Sequence, residues 1–147
     1  FSNKLATDAD LSEAALEQAV IDIGNLVDNR GIKANLRAQK LIVNLADQFN
    51  AHRILKSQLR PGTTDNDANA LKDSGAISEV IVTPYTTNTD DWFIVTDCVD
   101  GLKFYDRKSA VIDNDSDFDT NSGKFKVVRR LAVGWSDPRG LYGSSGA

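Results

Sequence analysis

The chain has 147 residues, of which 41% are hydrophobic and 26% are charged, and its formal net charge is −4. These values are typical of one globular domain, or of one domain plus a fragment of another, and exclude a wholly disordered chain. One cysteine (Cys98) excludes an internal disulfide framework, and with one histidine (His52) a structural zinc site is not expected. No apolar run approaches the ~20 residues of a membrane span. The residues Phe1-Ser2-Asn3-Lys4 do not have the pattern of a secretory signal, so none is expected here.

The sequence begins at Phe1 and contains no methionine. A primary translation product would start with that residue. We therefore expect the natural protein to have further sequence upstream of Phe1.

The first predicted element is an amphipathic helix. Asp10 and Glu13 have the spacing of a capping box, and Arg30-Gly31 is typical of a helix end. Apolar residues recur between them on one helical face: Leu16, Val20, Ile23 and Val27.

A short strand and a second helix are predicted next. Leu41-Ile42-Val43 has the composition of a buried strand, Asn44 can cap a helix, and Pro61-Gly62 would end it. The predicted apolar face of this helix contains Leu45, Phe49, His52, Leu55 and Leu59. We expect His52 to be packed there rather than catalytic.

Beyond a polar loop over residues 63–70, the pattern changes to strands. The predicted strands are Ile77–Thr83, Trp92–Cys98, Leu102–Tyr105, Val111–Ile112 and Lys124–Trp135. Pro138 and the glycines after it predict an irregular tail. Two helices followed by antiparallel strands indicate the α+β class.

Residues for catalysis are scarce. A Ser-His or Cys-His pair would need His52, and Cys98 lies in a predicted strand as a buried, inert thiol. No phosphate-binding loop occurs, and the acidic chain lacks an aromatic-interleaved basic motif for nucleic acid. The sequence therefore predicts neither an enzyme nor a cofactor.

Aspartates at alternate positions form the sharpest local cluster: Asp113, Asp115, Asp117 and Asp119. Calcium loops of the EF-hand type place carboxylates in this way. From Asp113, however, the sixth position is Phe118 instead of glycine and the twelfth is Lys124 instead of glutamate. We interpret the segment as an exposed connection between strands, with a cation-dependent binding module as an alternative.

One ordered series of segments resembles a known family. The segments are Asn29-Arg30-Gly31, Lys40–Ser57, Ile81–Tyr85, Asp91–Val95, Gly101–Arg107, Asp117–Thr120 and Phe125–Gly143. The series, from about Leu11 to Gly143, is similar to the C-terminal part of major capsid proteins of tailed bacteriophages, which have the HK97-like fold. The Mu-like major head subunits are the most similar in character.

The resemblance implies a structural subunit of an icosahedral head. Residues 1–116 look like axial-domain helices and strands, and residues 117–147 look like the returning strand of the peripheral domain and a C-terminal tail. The spine helix, extended loop and N-terminal arm would precede Phe1. Such subunits self-assemble into pentamers and hexamers that enclose the DNA genome, with scaffold, portal or decoration proteins as further partners. The implied location is the virion, assembled in the host cytoplasm, with non-specific proximity to DNA and no membrane contact.

Assembly would require complementary surfaces on neighbouring subunits. The first helix is acidic and residues 30–60 are basic. We expect Asp10, Glu13 and Glu17 on one subunit to face a basic surface on the next, formed by Lys40, Arg53 and Lys56. An encapsulin-like nanocompartment, which would hold protein cargo in place of DNA, is the alternative with the same fold.

Overall fold

The structure is a computed structural model that describes residues 2–60 and 67–146. Its helices are α1 (Glu13–Asn25), α2 (Gln48–Lys56) and α3 (Ala70–Ser74). Its strands are β1 (Ala38–Asn44), β2 (Glu79–Thr83), β3 (Trp92–Thr96), β4 (Leu102–Asp117), β5 (Ser122–Trp135) and β6 (Leu141–Ser144). The second helix is predicted to end at Pro61-Gly62, but it ends at Lys56. Pro61-Gly62 and most of the predicted 63–70 loop lie outside the described residues.

Four strands form a central sheet in the order β2-β1-β3-β6. β1 and β2 are parallel, and the other neighbouring pairs are antiparallel. The register places Leu41, Ile94 and Tyr142 on one row of the same face, and all three are buried. This face and the buried sides of α1 and α2 form the hydrophobic core, which confirms an α+β fold.

The first helix forms as predicted, but its ends differ. Ser12, not Asp10, is the N-cap, because its side chain accepts a hydrogen bond from the amide of Ala15. The helix ends at Asn25, five residues before the predicted stop, so Val27 lies outside it and is exposed. The buried face consists of Ala15, Leu16, Ala19 and Ile23.

The second helix uses a different face from the predicted one. Asn44 caps a 3₁₀ turn over Leu45–Asp47, and α2 follows that turn. Because the tighter turn rotates the helix, Ala51, Ile54 and Leu55 are buried. Of the five residues predicted to be apolar contacts, only Leu55 is in the core; His52 is exposed rather than packed.

The predicted irregular tail is wrong, since residues 141–144 form β6. This strand pairs with β3, and on its other side it forms a parallel bridge with the N-terminal segment. The amide of Gly143 donates to the carbonyl of Asn3 at 3.1 Å, and Leu5 donates to the carbonyl of Gly143 at 3.3 Å. Tertiary pairing thus decides a segment that its glycines alone make look like a loop.

The last two long strands form a separate two-stranded sheet, the β4–β5 hairpin. The two strands predicted at Leu102–Tyr105 and Val111–Ile112 are one continuous strand of 16 residues. The aspartate cluster was expected in a connection, but Asp113, Asp115 and Asp117 lie within β4. In the described part of the chain, every helix is too short or too polar to cross a membrane.

Candidate assembly surface

The hairpin has two faces that remain distinct along its whole length. From Asp106 to Ile112, β4 advances six residues while β5 advances only four, from Leu131 to Val127. Register irregularities on either side of Lys108 accommodate the two extra residues. The excess in β4 is two residues, and side chains alternate between the two faces with a period of two. Residues of the same parity in β4 therefore lie on the same face on both sides of the irregularities.

One face of the hairpin is apolar. Leu102 lies opposite Trp135, Phe104 opposite Val133, and Ile112 opposite Val127. The alternation along β5 places Phe125 and Leu131 on this face as well. None of these eight side chains is buried, and Phe125 and Trp135 are 77% and 69% exposed.

A two-stranded hairpin with an uncovered apolar face is not stable by itself. An isolated two-stranded hairpin is marginal in water and requires further strands or a packed helix on its apolar side. A contiguous apolar surface of this kind marks an interaction site. Only the paired side chains of Asp106 and Arg129, 3.6 Å apart, interrupt this face in its middle.

The opposite face is charged toward the tip. Asp113 lies opposite Lys126, and Asp115 lies opposite Lys124. Lys126 contacts Asp113 at 3.3 Å, and Lys124 contacts Asp117 at 2.8 Å. The hydrogen bond from Lys124 holds the pKa of Asp117 below its usual value.

The candidate cation ligands therefore lie on a paired strand and its turn. In place of a loop that wraps an ion, Asp113 and Asp117 have lysine partners, and Asp119 is in the turn after β4. Among the described residues, no three His, Cys, Asp or Glu side chains are grouped in a way that could hold a metal ion.

A basic cluster occupies the middle of the hairpin. Lys108 and Arg130 lie directly opposite each other at the irregular part of the ladder, and Arg107 is adjacent. Like charges in this position destabilise a strand pair. Within residues 2–60 and 67–146, none of the three side chains forms an ion pair or a hydrogen bond. We use the name basic cluster for Arg107, Lys108 and Arg130.

The base of the hairpin is joined to the central sheet by a tight crossing. Gly101 precedes β4 and Gly140 precedes β6, and a Cβ on Gly101 would lie 2.8 Å from the Cα of Gly140. Next to this crossing, the guanidinium of Arg139 donates to Asp137 from Nε, at 2.9 and 3.0 Å, and from Nη2, at 2.7 Å. This pairing lowers the pKa of Asp137.

The six residues predicted to form interfaces have different environments. Two of them form ion pairs in the described structure: Lys40 contacts Glu79 at 2.7 Å, and Glu13 contacts Arg60 at 3.0 Å. Arg53 and Lys56 are exposed on α2, and Glu17 is partly buried on α1. Asp10 is exposed just before α1 and interacts with other groups.

Cys98 follows β3 and is partly buried. Burial raises the pKa of its thiol, so the reactive thiolate is disfavoured at neutral pH. This environment agrees with the predicted inert thiol, although the residue lies beyond the strand rather than within it.

Two features of this surface were not predicted from the sequence, namely the exposure of the apolar face and the basic cluster. The alternation of apolar residues along β5 is visible there, but nothing local indicates that the described residues would leave this face uncovered. The basic cluster depends on the cross-strand register, because Lys108 and Arg130 are 22 positions apart and meet only when β4 pairs with β5. The run Arg129-Arg130 was a usable signal for it.

Solved structures provide the first comparison. A virus-like particle from Pyrococcus furiosus is similar at 13% identity with a TM-score of 0.52, over 97% of this chain and 55% of that one. A structure described as Mycobacterium phage Che8 is similar at 15% identity with a TM-score of 0.54, over 99% of this chain and 54% of that one. The chain thus spans about half the length of these solved chains. At these identities the likeness establishes the fold, which is HK97-like.

A comparison of sequences adds the family. No curated protein matches the chain. The profile of a family described as phage capsid protein matches residues 2–144, which is almost the entire sequence. The chain belongs to this phage capsid protein family.

Proposed function

We propose that the chain is a shell subunit that self-assembles into the pentamers and hexamers of an icosahedral phage head and encloses its DNA. The observation that supports assembly most strongly is the apolar face of the hairpin. Eight large side chains lie on one side of two strands, and the described residues leave that side uncovered. A structural, non-enzymatic role in a virion agrees with membership of the capsid family.

The domain assignment is part of this proposal. Residues 1–116 correspond to the axial domain and residues 117–147 to the returning strand and a C-terminal segment, whose strand β6 pairs with β3 in the central sheet. The spine helix, extended loop and N-terminal arm precede Phe1 in the natural subunit. The fact that the chain spans about half of each solved relative supports this assignment. Assembly takes place in the host cytoplasm, with scaffold, portal or decoration proteins as further partners.

Electrostatic pairing between subunits is a second element of the proposal. Asp10, Glu13 and Glu17 on one subunit face Lys40, Arg53 and Lys56 on the next. Because Lys40 and Glu13 already have partners within the chain, Arg53, Lys56 and Glu17 contribute most. The triple variant K40E/R53E/K56E is expected to block capsomer formation, and normal assembly of that variant would contradict this pairing.

Negative-stain electron microscopy of the natural full-length subunit tests the function. Uniform closed shells that protect DNA from nuclease are expected. Shells that contain protein cargo instead of DNA would favour the encapsulin-like alternative, and a protein that remains monomeric under all assembly conditions would contradict a shell role.

A further inference from the structure

The basic cluster lacks a compensating charge among residues 2–60 and 67–146. Lys108 faces Arg130 across the ladder, and Arg107 lies beside them. Asp106, which precedes Arg107 in the chain, is on the other face and contacts Arg129. Three cations without an anion partner in the described part of the chain destabilise the hairpin. An anionic partner from outside the subunit would relieve that repulsion.

The same charged face becomes acidic further along. From Asp113 to Lys126 the hairpin has four aspartates and two lysines, which leaves a net charge of −2. We use the name acidic tip for Asp115, Asp117 and Asp119. Phe118 lies among them and is 99% exposed.

The two surfaces cannot neutralise each other within one hairpin. Asp115 pairs in register with Lys124, which is six residues from Arg130 along β5. At a rise of ~3.3 Å per residue this separates them by about 20 Å, which is beyond the reach of the side chains. It is also beyond the screening length of about 8 Å at physiological salt. A neighbouring copy carries both surfaces and can therefore satisfy complementary charges at this spacing.

We infer that the basic cluster of one subunit binds the acidic tip of a neighbouring copy of the same chain. The contact joins two different surfaces, because one hairpin presents its middle and the other presents its end. A two-fold pairing of like surfaces would place acids against acids and is disfavoured. Phe118 adds an apolar anchor within the acidic tip.

A second copy fits this surface better than nucleic acid does. A duplex that lay along the charged face and contacted the basic cluster would also meet the aspartates about 20 Å away. A short acidic segment from another hairpin meets the cations without that repulsion. This inference rests on the proposed function, because it requires subunits to adjoin in a shell.

Charge reversal in the full-length subunit provides the test. The variants are R107E/K108E/R130E, D115K/D117K/D119K and the combination of all six. Each triple variant is expected to lower the fraction of sedimentable particles by about ten-fold, and the combination is expected to restore it. A combined variant that assembles no better than either triple, or triples that assemble normally, would overturn the inference. If DNA were the true partner of the basic cluster, the combined variant would assemble no better than either triple variant.

A disulfide experiment removes any ambiguity from misfolding. In a Cys98→Ser background, one chain has Lys108→Cys and a second chain has Asp117→Cys. After mild oxidation of mixed particles, linked dimers that contain one chain of each kind are expected. Their absence, or dimers of the Asp117→Cys chain alone, would overturn the inference. Failure of the unaltered subunit to assemble would instead contradict the proposed function, and this inference with it.

Discussion

Gly101 and Gly140 are in backbone contact where the hairpin leaves the central sheet. A side-chain carbon on Gly101 would lie 2.8 Å from the Cα of Gly140 and 3.3 Å from the carbonyl oxygen of Cys98. Both neighbours are main-chain atoms, which cannot move aside as a flexible side chain would. The crossing therefore fixes the direction in which the hairpin projects, and with it the position of the apolar face and the acidic tip.

Replacement of Gly101 by alanine is expected to destabilise the subunit by about 2 kcal/mol, as overpacking of a tight contact does. Urea unfolding measures this change in free energy. Gly134→Ala is the matched control, because Gly134 is in β5 and has no other atom within 4 Å of its added carbon. Equal stability of the two variants would show that the crossing is not constrained.

The hydrogen bond between Tyr142 and Asp22 joins β6 to α1 over the core. The hydroxyl of Tyr142 donates to the Asp22 carboxylate at 2.7 Å, and burial of the phenol raises the pKa of Tyr142. Tyr142→Phe should cost about 1.5 kcal/mol of unfolding free energy, because the acceptor is charged. Tyr105→Phe, at an exposed position on the hairpin, should have no effect. If Tyr142→Phe left the unfolding free energy unchanged, the prediction would be contradicted. The hydrogen bond that Gln18 donates to Asp22 would then be sufficient to satisfy this carboxylate.

Asn69 is fully buried and connects α2 to α3. Its amide nitrogen donates to the carbonyls of Ile54 and Ser57, and its oxygen accepts from the amide of Lys72. Asn69→Ala leaves these groups without partners and should cost about 2 kcal/mol, measured by thermal or urea unfolding. Asn114→Ala, at an exposed position in β4, is a suitable control. If Asn69→Ala lost no more unfolding free energy than the control does, a structural role for this amide would be contradicted.

Acid should weaken the subunit partly through Asp137. Arg139 lowers the folded-state pKa of this carboxyl from its ordinary value of 3.8. The unfolded chain therefore takes up the proton first, so the stabilisation is complete above pH 3.8 and is lost as the pH falls through the lower folded value. Urea midpoints at a series of pH values should show a shallower acid slope for Asp137→Asn than for the unaltered chain. An unchanged slope, or the same change in Asp73→Asn, would contradict this assignment.

Much of the fold was accessible from sequence where local signals agree. The first helix, β1 and the strand content of the second half all follow from periodicity and from β-branched residues. The buried face of α2 could not be predicted from the sequence, because a single 3₁₀ turn over Leu45–Asp47 rotates the helix and exposes Phe49. β6 was hidden for a similar reason, since Gly143 pairs with both Phe93 and the N-terminal segment.

The candidate surface was predicted less well than the fold. Phe125, Val127, Leu131 and Val133 share one parity in the sequence, which indicates an apolar face but not its exposure. The basic cluster and the acidic tip depend on a register shifted by two irregularities, and local propensity does not encode such shifts. The surface thus arises from long-range pairing, whereas the core elements arise from local pattern.

The most direct test of the account is a cryo-electron microscopy reconstruction of particles formed by the full-length subunit. We predict closed shells in which the apolar face, represented by Phe104, Val133 and Trp135, is buried. In those shells the acidic tip should also lie against the basic cluster of a neighbour. Shells in which this face of the hairpin remains exposed to solvent, or a subunit that forms no shell, would contradict the account.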